Sequence, residues 1–180
     1  MMRNDINKIL FSEEDIQRRI EELSHRINED YRNKDLMLLC ILKGSIIFMG
    51  DLMKKINLYA VTEFMCVSSY GNSTTSTGNV RILKDVDMPV HGKNILIVED
   101  IIDTGTTLKY VRDYLMGKGA EDVEIVTLLN KPSGRKVSIE AKYVGFEVGN
   151  EFVIGYGLDF AEKYRNLPYI GVLNESMYKS

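Results

Sequence analysis

The chain has 180 residues, of which 44% are hydrophobic and 27% are charged, as in ordinary folded globular proteins. Because 23 basic and 26 acidic side chains give a formal net charge of −3, we expect no broad surface for nucleic acid or for an anionic membrane. No stretch reaches the roughly 18 apolar residues of a membrane span, and no export signal is visible. The sequence therefore predicts one cytoplasmic domain covering residues 1–180.

The cysteines agree with a reducing compartment. Cys40 and Cys66 both lie in apolar stretches and lack the C-x-x-C spacing of a redox or metal motif. We expect both to be buried, reduced thiols, as is usual in cytoplasmic proteins.

The first third of the chain predicts a helix, a buried strand and a second helix. Residues 12–15 carry a capping hydroxyl at Ser12 followed by acidic residues, a pattern that begins a helix. Residues 36–42 are continuously apolar, as in a strand covered on both faces, and residues 45–55 predict the second helix. The apolar face of the first helix consists of Ile16, Ile20, Leu23 and Ile27.

A second strand, predicted at residues 61–68, precedes a polar segment. Residues 69–79 contain almost nothing apolar after Tyr70, so burial cannot anchor them and we expect a mobile loop. Strands that alternate with helices predict an α/β doubly wound sheet, which binds ligands at the carboxyl ends of its strands. The remaining strands are predicted at residues 123–129, 142–146 and 152–156.

The most informative segment reads ILIVEDIIDTGTTL. Residues 95–98 predict a buried strand, and the carboxylates of Glu99 and Asp100 follow it directly. A small polar turn at residues 103–107 then leads into a helix, and free backbone N–H groups at such a helix start bind phosphate. The alternative is an acidic loop in which Asp103 merely caps the helix.

Two common phosphate motifs are missing from the sequence. The chain contains neither G-x-x-x-x-G-K-[ST] nor G-x-G-x-x-G, so the usual nucleoside triphosphate and dinucleotide sites lack their main support. An acidic pair beside a phosphate-binding turn instead suits a ligand that carries both a phosphate and a hydroxylated or metal-chelated part.

The segment VEDIIDTGTT resembles the ribose-phosphate signature of the phosphoribosyltransferases. Further motifs follow the order of the hypoxanthine-guanine branch of that family, and together they span residues 36–172. The resemblance implies the type I fold, a Rossmann-like, mostly parallel sheet flanked by helices, with a small hood made from the terminal parts. The motifs are LKGS at 42–45, SYG at 69–71, NKP at 130–132, the VGFEV…FVIGYGLD run at 144–159 and YRNLPYIG at 164–171.

The resemblance also implies an activity. A member of this branch transfers the 5-phosphoribosyl group from phosphoribosyl pyrophosphate to hypoxanthine or guanine, releases pyrophosphate and forms inosine or guanosine monophosphate in purine salvage. Magnesium is the implied cofactor, and the partners are small-molecule substrates, without nucleic acid or membrane. Because relatives are often dimers or tetramers, a homo-oligomer is expected.

The segment around the signature would bind the phosphoribosyl group. Asp103 is the candidate general base at the purine imidazole nitrogen. Glu99 and Asp100 would face the ribose hydroxyls and ligate magnesium, because carboxylates accept hydroxyl hydrogen bonds and are hard oxygen ligands. The cradle for the 5′-phosphate would consist of Asp103, Thr104, Gly105, Thr106 and Thr107.

A second group of residues would bind pyrophosphate. Lys43 and Gly44 resemble the family's pyrophosphate loop, in which the peptide before the lysine can be cis. Arg165 matches the second pyrophosphate contact, since a guanidinium offers the forked donors that phosphate oxygens favour, although alone it would be read as a surface charge. Asp159 matches the family's magnesium ligand near pyrophosphate.

A third group would bind the purine. Lys131 would donate to the exocyclic oxygen at position 6, Phe152 would stack on the base, and the Val153 backbone would bind its edge. Ser69 and Tyr70 would lead the loop that closes over the transition state. Without the family, Phe152 would be read as a core residue.

Three other functions are weighed against this one. A regulator of the same fold that binds phosphoribosyl pyrophosphate to control transcription or an RNA should carry a nucleic-acid domain or a basic face. A phosphoribosyltransferase for another base should differ at Lys131 and Phe152. A metal-dependent phosphohydrolase that uses Glu99 and Asp100 should carry a histidine constellation, which the sequence lacks.

Overall fold

The computed structural model describes residues 2–69 and 80–178. The predicted mobile loop lies almost wholly outside these ranges, as does Tyr70. The helices are α1 (Glu13–Asp30), α2 (Ile46–Met53) and α3 (Thr106–Gly117), with short 3-10 turns at Met2–Asp5, Pro132–Gly134 and Glu175–Met177. The strands are β1 (Ile6–Phe11), β2 (Leu36–Leu42), β3 (Ala60–Ser69), β4 (Val80–Lys84), β5 (Asn94–Ile102), β6 (Asp122–Asn130), β7 (Tyr143–Glu147), β8 (Val153–Ile154) and β9 (Ile170–Leu173).

A six-stranded sheet in the order β4-β3-β2-β5-β6-β7 forms the centre of the fold. Its neighbouring strands are parallel except β3 and β4, which pair antiparallel. The strand predicted at residues 36–42 coincides with β2. The strands predicted at 61–68, 123–129 and 142–146 each differ from β3, β6 and β7 by one residue at either end.

Alternate side chains of the central strands pack on opposite faces of this sheet. Leu38 and Cys40 of β2 belong to the core that α1 and α2 cover, whereas Met37 and Leu39 belong to the core that α3 covers. Because both faces are buried, β2 and β5 have continuous rather than alternating apolar sequences. The expected α/β doubly wound architecture is therefore confirmed.

A second, three-stranded sheet forms the hood in the order β1-β9-β8. Its strands are antiparallel, and Ile6 near the start of the chain pairs with Leu173 near its end. The expectation of a hood built from the terminal parts is confirmed. The strand predicted at residues 152–156 was too long, because only Val153–Ile154 pairs and the chain then turns at Gly155, where φ is +94°.

Three local predictions had different outcomes. Ser12 caps α1 through a capping box, in which the Asp15 N–H donates to Ser12 Oγ (3.1 Å) and the Ser12 N–H donates to Asp15 Oδ2 (3.2 Å). Both cysteines are free, but only Cys40 is buried, and Cys66 is half-buried, contrary to the prediction. The second helix, α2, is shorter than the predicted 45–55.

Within residues 2–69 and 80–178, none of the helices combines the length and the apolar character that a membrane crossing would require.

Candidate active site

The acidic pair lies inside strand β5 and not in a loop after it. The sequence placed the strand end at residue 98, but the ladder with β6 continues through Glu99 and Ile101 to Ile102. Because successive side chains of a strand point to opposite faces, Glu99 and Asp100 reach different surroundings. Glu99 lines a small cavity at the polar turn of residues 103–107, the phosphate turn, whereas an Asp100 oxygen lies against Gly44.

Both carboxyl groups hold their protons more tightly than usual. Burial, with a smaller effect of the neighbouring Asp100, raises the pKa of Glu99 well above its ordinary range. Burial likewise raises the pKa of Asp100 to about 6, although the Ile101 N–H (2.8 Å) and the Arg165 guanidinium oppose the shift. Glu99 Oε2 is buried and has no hydrogen-bond partner. A cation or a hydroxyl donor at this position would satisfy it.

The phosphate turn ends in helix α3 as the sequence predicts. The N-cap of α3 is Gly105, with φ +79° and no side-chain capping bond, so the alternative reading of Asp103 as the helix cap is wrong. Asp103 is exposed. The Thr106 N–H lies 3.4 Å from Thr104 Oγ1. A cavity of about 140 Å³ opens at this turn, and Thr107 is among the residues that line it.

The segment after β6 holds the phosphate turn in place. The Lys131 N–H donates to the last carbonyl of β5 (2.9 Å), and the Lys136 N–H donates to the Thr104 carbonyl (3.0 Å). Arg135 Nη1 donates to the Asp103 carbonyl (3.2 Å). Sequence reasoning missed Arg135, although it lies only four residues after Lys131 in the NKPSGR segment.

The loop of residues 43–45 between β2 and α2, the Lys43 loop, packs directly on Asp100 of the acidic pair. The Leu42–Lys43 peptide is cis, in agreement with the family's pyrophosphate loop. A Cβ added at Gly44 would overlap Asp100 Oδ2, so any larger residue here would displace this carboxylate. The loop therefore places backbone groups beside the carboxylate.

A third segment, from the hood, packs on the Lys43 loop. A Cβ at Gly157, where φ is +102°, would overlap the Gly44 carbonyl oxygen. Arg165 Nη1 donates to the Gly157 carbonyl (2.8 Å), and Arg165 Nη2 forms an ion pair with Asp159 (2.9 Å). Segments far apart in sequence thus meet in a stack that runs from Asp100 through the two glycines to Arg165.

The two cations assigned to pyrophosphate share one anion. The Glu162 carboxylate contacts Lys43 Nζ at 3.1 Å and Arg165 Nη2 at 3.4 Å. Arg165 Nε is buried and has no hydrogen-bond partner. The donors of Lys43 and Arg165 therefore converge on a position that accepts negative charge.

Phe152 is an exposed aromatic residue at the start of the hood strand β8. Its side chain keeps 38% of its surface exposed, so the alternative reading as a core residue is wrong. Tyr178 stacks on its ring at 5.2 Å, and Phe160 meets it edge-on at 5.6 Å. The adjacent Val153 is buried. Sequence reasoning missed Tyr178, because it lies 26 residues from Phe152 and no local pattern connects them.

Three comparisons with known proteins agree with this arrangement. A family model described as the phosphoribosyl transferase domain matches residues 7–161. The hypoxanthine-guanine phosphoribosyltransferase of Bacillus subtilis (strain 168) is 53% identical over 180 residues, which cover 100% of both chains. The chain belongs to the hypoxanthine-guanine phosphoribosyltransferase family.

Solved structures of this family confirm the type I fold. The hypoxanthine phosphoribosyltransferase of Staphylococcus aureus superposes with a TM-score of 0.96 at 50% identity, covering 99% of this chain and 97% of that one. The enzyme from Trypanosoma cruzi, solved as a ternary substrates complex, superposes with a TM-score of 0.91 at 41% identity, covering 97% and 99%.

Glu99, Asp100 and Asp159 are the candidate magnesium ligands of this site. Among the residues that the structure describes, no three acidic, histidine or cysteine side chains form a ready-made metal cluster. Asp159 nevertheless lies close enough to raise the pKa of Asp100. A few carboxylates suffice for magnesium, because the ion keeps several waters and takes its other ligands from substrate phosphates. The unpaired Glu99 oxygen fits this role.

Not every predicted site residue can be placed. Ser69 ends β3 with its backbone opposite Val80, so it lies at the same sheet edge as the Lys43 loop, which follows β2. Tyr70 lies outside the described residues, and its role in a closing loop stays a prediction.

Proposed function

We propose that this phosphoribosyltransferase transfers the 5-phosphoribosyl group from phosphoribosyl pyrophosphate to hypoxanthine or guanine in purine salvage. The observation that carries the proposal is the convergence of the acidic pair with two anion-binding segments, the phosphate turn and the Lys43 loop. Asp100 lies against Gly44, and Glu99 lines the cavity of the phosphate turn. Full-length relatives that carry the hypoxanthine-guanine name support the choice of substrates.

In the proposed reaction, the imidazole nitrogen of the purine forms a bond to the anomeric carbon, and the bond from that carbon to pyrophosphate breaks. Asp103 accepts the proton from the purine nitrogen, because its exposed carboxylate lies at the turn that binds the 5′-phosphate. Glu99 and Asp100 orient the ribose hydroxyls. Their negative charge also stabilises the positive charge that develops on the ring.

The phosphoribosyl group is fixed by its 5′-phosphate. The backbone N–H groups at the start of α3 and the hydroxyls of Thr104, Thr106 and Thr107 provide donors, and Gly105 allows the sharp turn. Fixing the phosphate places the anomeric carbon near the acidic pair, which lowers the entropic cost of the transition state.

Pyrophosphate is bound by Lys43, the Gly44 backbone and Arg165. The position of Glu162 between the two cations supports this assignment, because the leaving group would take the place of its carboxylate. When bound, magnesium supplies positive charge that neutralises the leaving group. Glu99, Asp100 and Asp159 would hold it, together with substrate oxygens.

The purine is bound by Lys131, Phe152 and Val153. Lys131 follows β6, whose carboxyl end lies beside that of β5, so its ammonium can reach the 6-oxo group. The exposed part of the Phe152 ring offers a stacking surface. We propose that Ser69 and Tyr70 lead a loop that closes over this assembly and excludes water.

The same proposal extends to the whole chain. Residues 1–180 would form one domain, supported by the pairing of β1 with β9 across the length of the sequence. Two free cysteines support a reducing, cytoplasmic compartment. Phe48 and Met49 of α2 are core residues, whereas Ile46 and Met53 are exposed, which supports a dimer or tetramer that covers this helix.

The test measures pyrophosphate release from phosphoribosyl pyrophosphate and magnesium with hypoxanthine, guanine, xanthine, adenine and uracil in parallel. We expect fast release with hypoxanthine and guanine. Release with uracil or adenine alone would assign another base, and no release with any base would favour a binding protein over an enzyme.

A further inference from the structure

Tyr156 is a buried tyrosine in a left-handed backbone conformation. Its φ is +50° and its side chain is only 3% exposed. A residue with a Cβ rarely adopts this conformation, so its surroundings must hold it there. Its hydroxyl donates a hydrogen bond to Asp51 Oδ2, which connects the loop after β8 to helix α2.

Asp51 is a fixed, ionised acceptor. Burial opposes its ionisation, but hydrogen bonds from Lys54, Tyr156 and Gln17 outweigh that effect and lower its pKa below the usual value. Lys54, the residue after α2, donates to Asp51 at 2.7 Å, and Gln17 of α1 donates to Asp51 at 2.8 Å. Asp51 therefore ties two helices to the loop that carries Tyr156.

The residue after Tyr156 is the one that packs on the pyrophosphate loop. The Gly157 N–H donates to the Arg165 carbonyl (2.9 Å), and the Gly157 carbonyl accepts from Arg165 Nη1 (2.8 Å). On its other side Gly157 is in contact with the Gly44 carbonyl. Helix α2 begins only two residues after Gly44. A shift of Tyr156 would therefore change the distance between Gly44 and Arg165.

We infer that Asp51 and Tyr156 are positioning residues for the pyrophosphate half of the site. Their hydrogen bond holds Gly157 between Gly44 and Arg165, so that the Gly44 backbone and the Arg165 guanidinium both contact pyrophosphate. This arrangement of Gly44, Gly157 and Arg165 is called the clamp. The inference rests on the proposed function for its ligand. In the purine half, Lys131 follows β6, and Val153 is held by the pairing of β8 with β9, ahead of the turn at Gly155. The Asp51–Tyr156 hydrogen bond should therefore act on phosphoribosyl pyrophosphate and not on the purine.

Tyr156→Phe removes the hydroxyl and leaves the ring. We expect the KM for phosphoribosyl pyrophosphate, and that for pyrophosphate in the reverse reaction, to rise roughly 5–20-fold, because a hydrogen bond to a charged group is lost. The KM for hypoxanthine should stay within about twofold of wild type. Asp51→Ala should give the same pattern. Asp51→Asn keeps an acceptor oxygen and should restore a KM within about threefold of wild type.

Tyr143→Phe is the matched control. Tyr143 is fully buried and donates to a carboxylate, Asp30, at 2.6 Å, but it lies on the edge strand β7. This variant should lose stability as Tyr156→Phe does and keep both KM values. The inference is overturned if Tyr156→Phe loses stability with an unchanged KM for phosphoribosyl pyrophosphate, or if the KM values of both substrates rise together.

A direct binding measurement separates this inference from the proposed function. Magnesium pyrophosphate is titrated calorimetrically into the wild type, Tyr156→Phe and Tyr143→Phe. If Tyr156→Phe binds magnesium pyrophosphate more weakly than both the wild type and Tyr143→Phe, the result supports the clamp. It does so even if the wild type releases no pyrophosphate with any purine. Equal binding by all three proteins overturns the clamp, and leaves the proposed function to be judged by its own assay.

Discussion

Replacing Asp103 with asparagine keeps the size of the side chain and removes the oxygen that would accept the purine proton. We expect Asp103→Asn to lower kcat with hypoxanthine by roughly 10²–10⁴, since general-base catalysis contributes about that much. The phosphate turn should remain intact, because the Gly105 N-cap of α3 needs no side chain. Asp113→Asn, at an exposed aspartate paired with Lys109 on the same helix, is the control and should turn over normally. Near-normal turnover of Asp103→Asn would leave this residue without a role as the base.

The pKa of Asp100 predicts an unusual pH dependence of stability. Burial raises this pKa from 3.8 to about 6, so the folded protein keeps a proton that the unfolded chain releases between these values. The contribution of Asp100 to the free energy of unfolding is therefore fully present at low pH and is lost as pH rises through that window. In metal-free buffer near pH 7.5, Asp100→Asn should be more stable than wild type by on the order of 1–3 kcal/mol.

Urea unfolding of both proteins at two pH values measures this effect. The advantage of Asp100→Asn should shrink near about pH 4, where wild-type Asp100 is protonated in the fold. If Asp100→Asn were more stable than wild type by the same amount at both pH values, the cause would be packing and not the charge of Asp100. If the variant were less stable than wild type near pH 7.5, the predicted effect of the raised pKa would be wrong. The same variant should bind phosphoribosyl pyrophosphate and magnesium poorly, because it lacks the charge of the carboxylate.

We propose that the choice between oxopurines and adenine depends on Lys131. An ammonium has donors and no acceptor, so it pairs with the 6-oxo group of hypoxanthine or guanine but meets the amino group of adenine. Leaving the charged group unpaired should give discrimination of roughly 10³ or more. Lys131→Met should lower kcat/KM for both oxopurines and narrow the gap to adenine. Efficient use of adenine by the wild type would refute the assignment of Lys131.

At the scale of elements, continuous apolar runs were the most reliable signal. β2 coincides with its prediction because all its residues are apolar and both faces are covered. β5 continues four residues beyond its predicted end, because its ladder with β6 includes Glu99 and runs to Ile102. The sequence predicted a loop at Glu99 and Asp100 because both side chains are charged. β8 is short because Gly155 and Gly157 turn the chain. A continuous apolar sequence indicates that a strand is buried more clearly than it indicates where the strand ends.

Two of the three hood strands, β1 and β9, were not visible in the local pattern. β1 and β9 are short, and the residues that pair between them are far apart in sequence, as in the pairing of Ile6 with Leu173. No period within either segment distinguishes it from a loop. The expectation of a hood came from the family resemblance, and the structure supplies its strands.

At the scale of the whole molecule, the candidate site is the place where the two sheets meet. The main sheet contributes the acidic pair, the phosphate turn and Lys131, all at the carboxyl ends of parallel strands, as local motifs predicted. The hood contributes Phe152, and the loop after its strand β8 contributes Gly157. What sequence reasoning could not supply was the contact of Gly157 with Gly44 and of Gly44 with Asp100, because each joins segments 56 or more residues apart.

Product identification by mass spectrometry shows directly whether the protein transfers the phosphoribosyl group to hypoxanthine and guanine. Wild-type protein is incubated with magnesium, phosphoribosyl pyrophosphate and an equal mixture of hypoxanthine, guanine and adenine, and the nucleotides are quantified beside the pyrophosphate released. We expect inosine and guanosine monophosphates whose sum equals the pyrophosphate, with adenosine monophosphate at the background level of the Asp103→Asn variant. Pyrophosphate released without a nucleotide, or adenosine monophosphate as a main product, would contradict it.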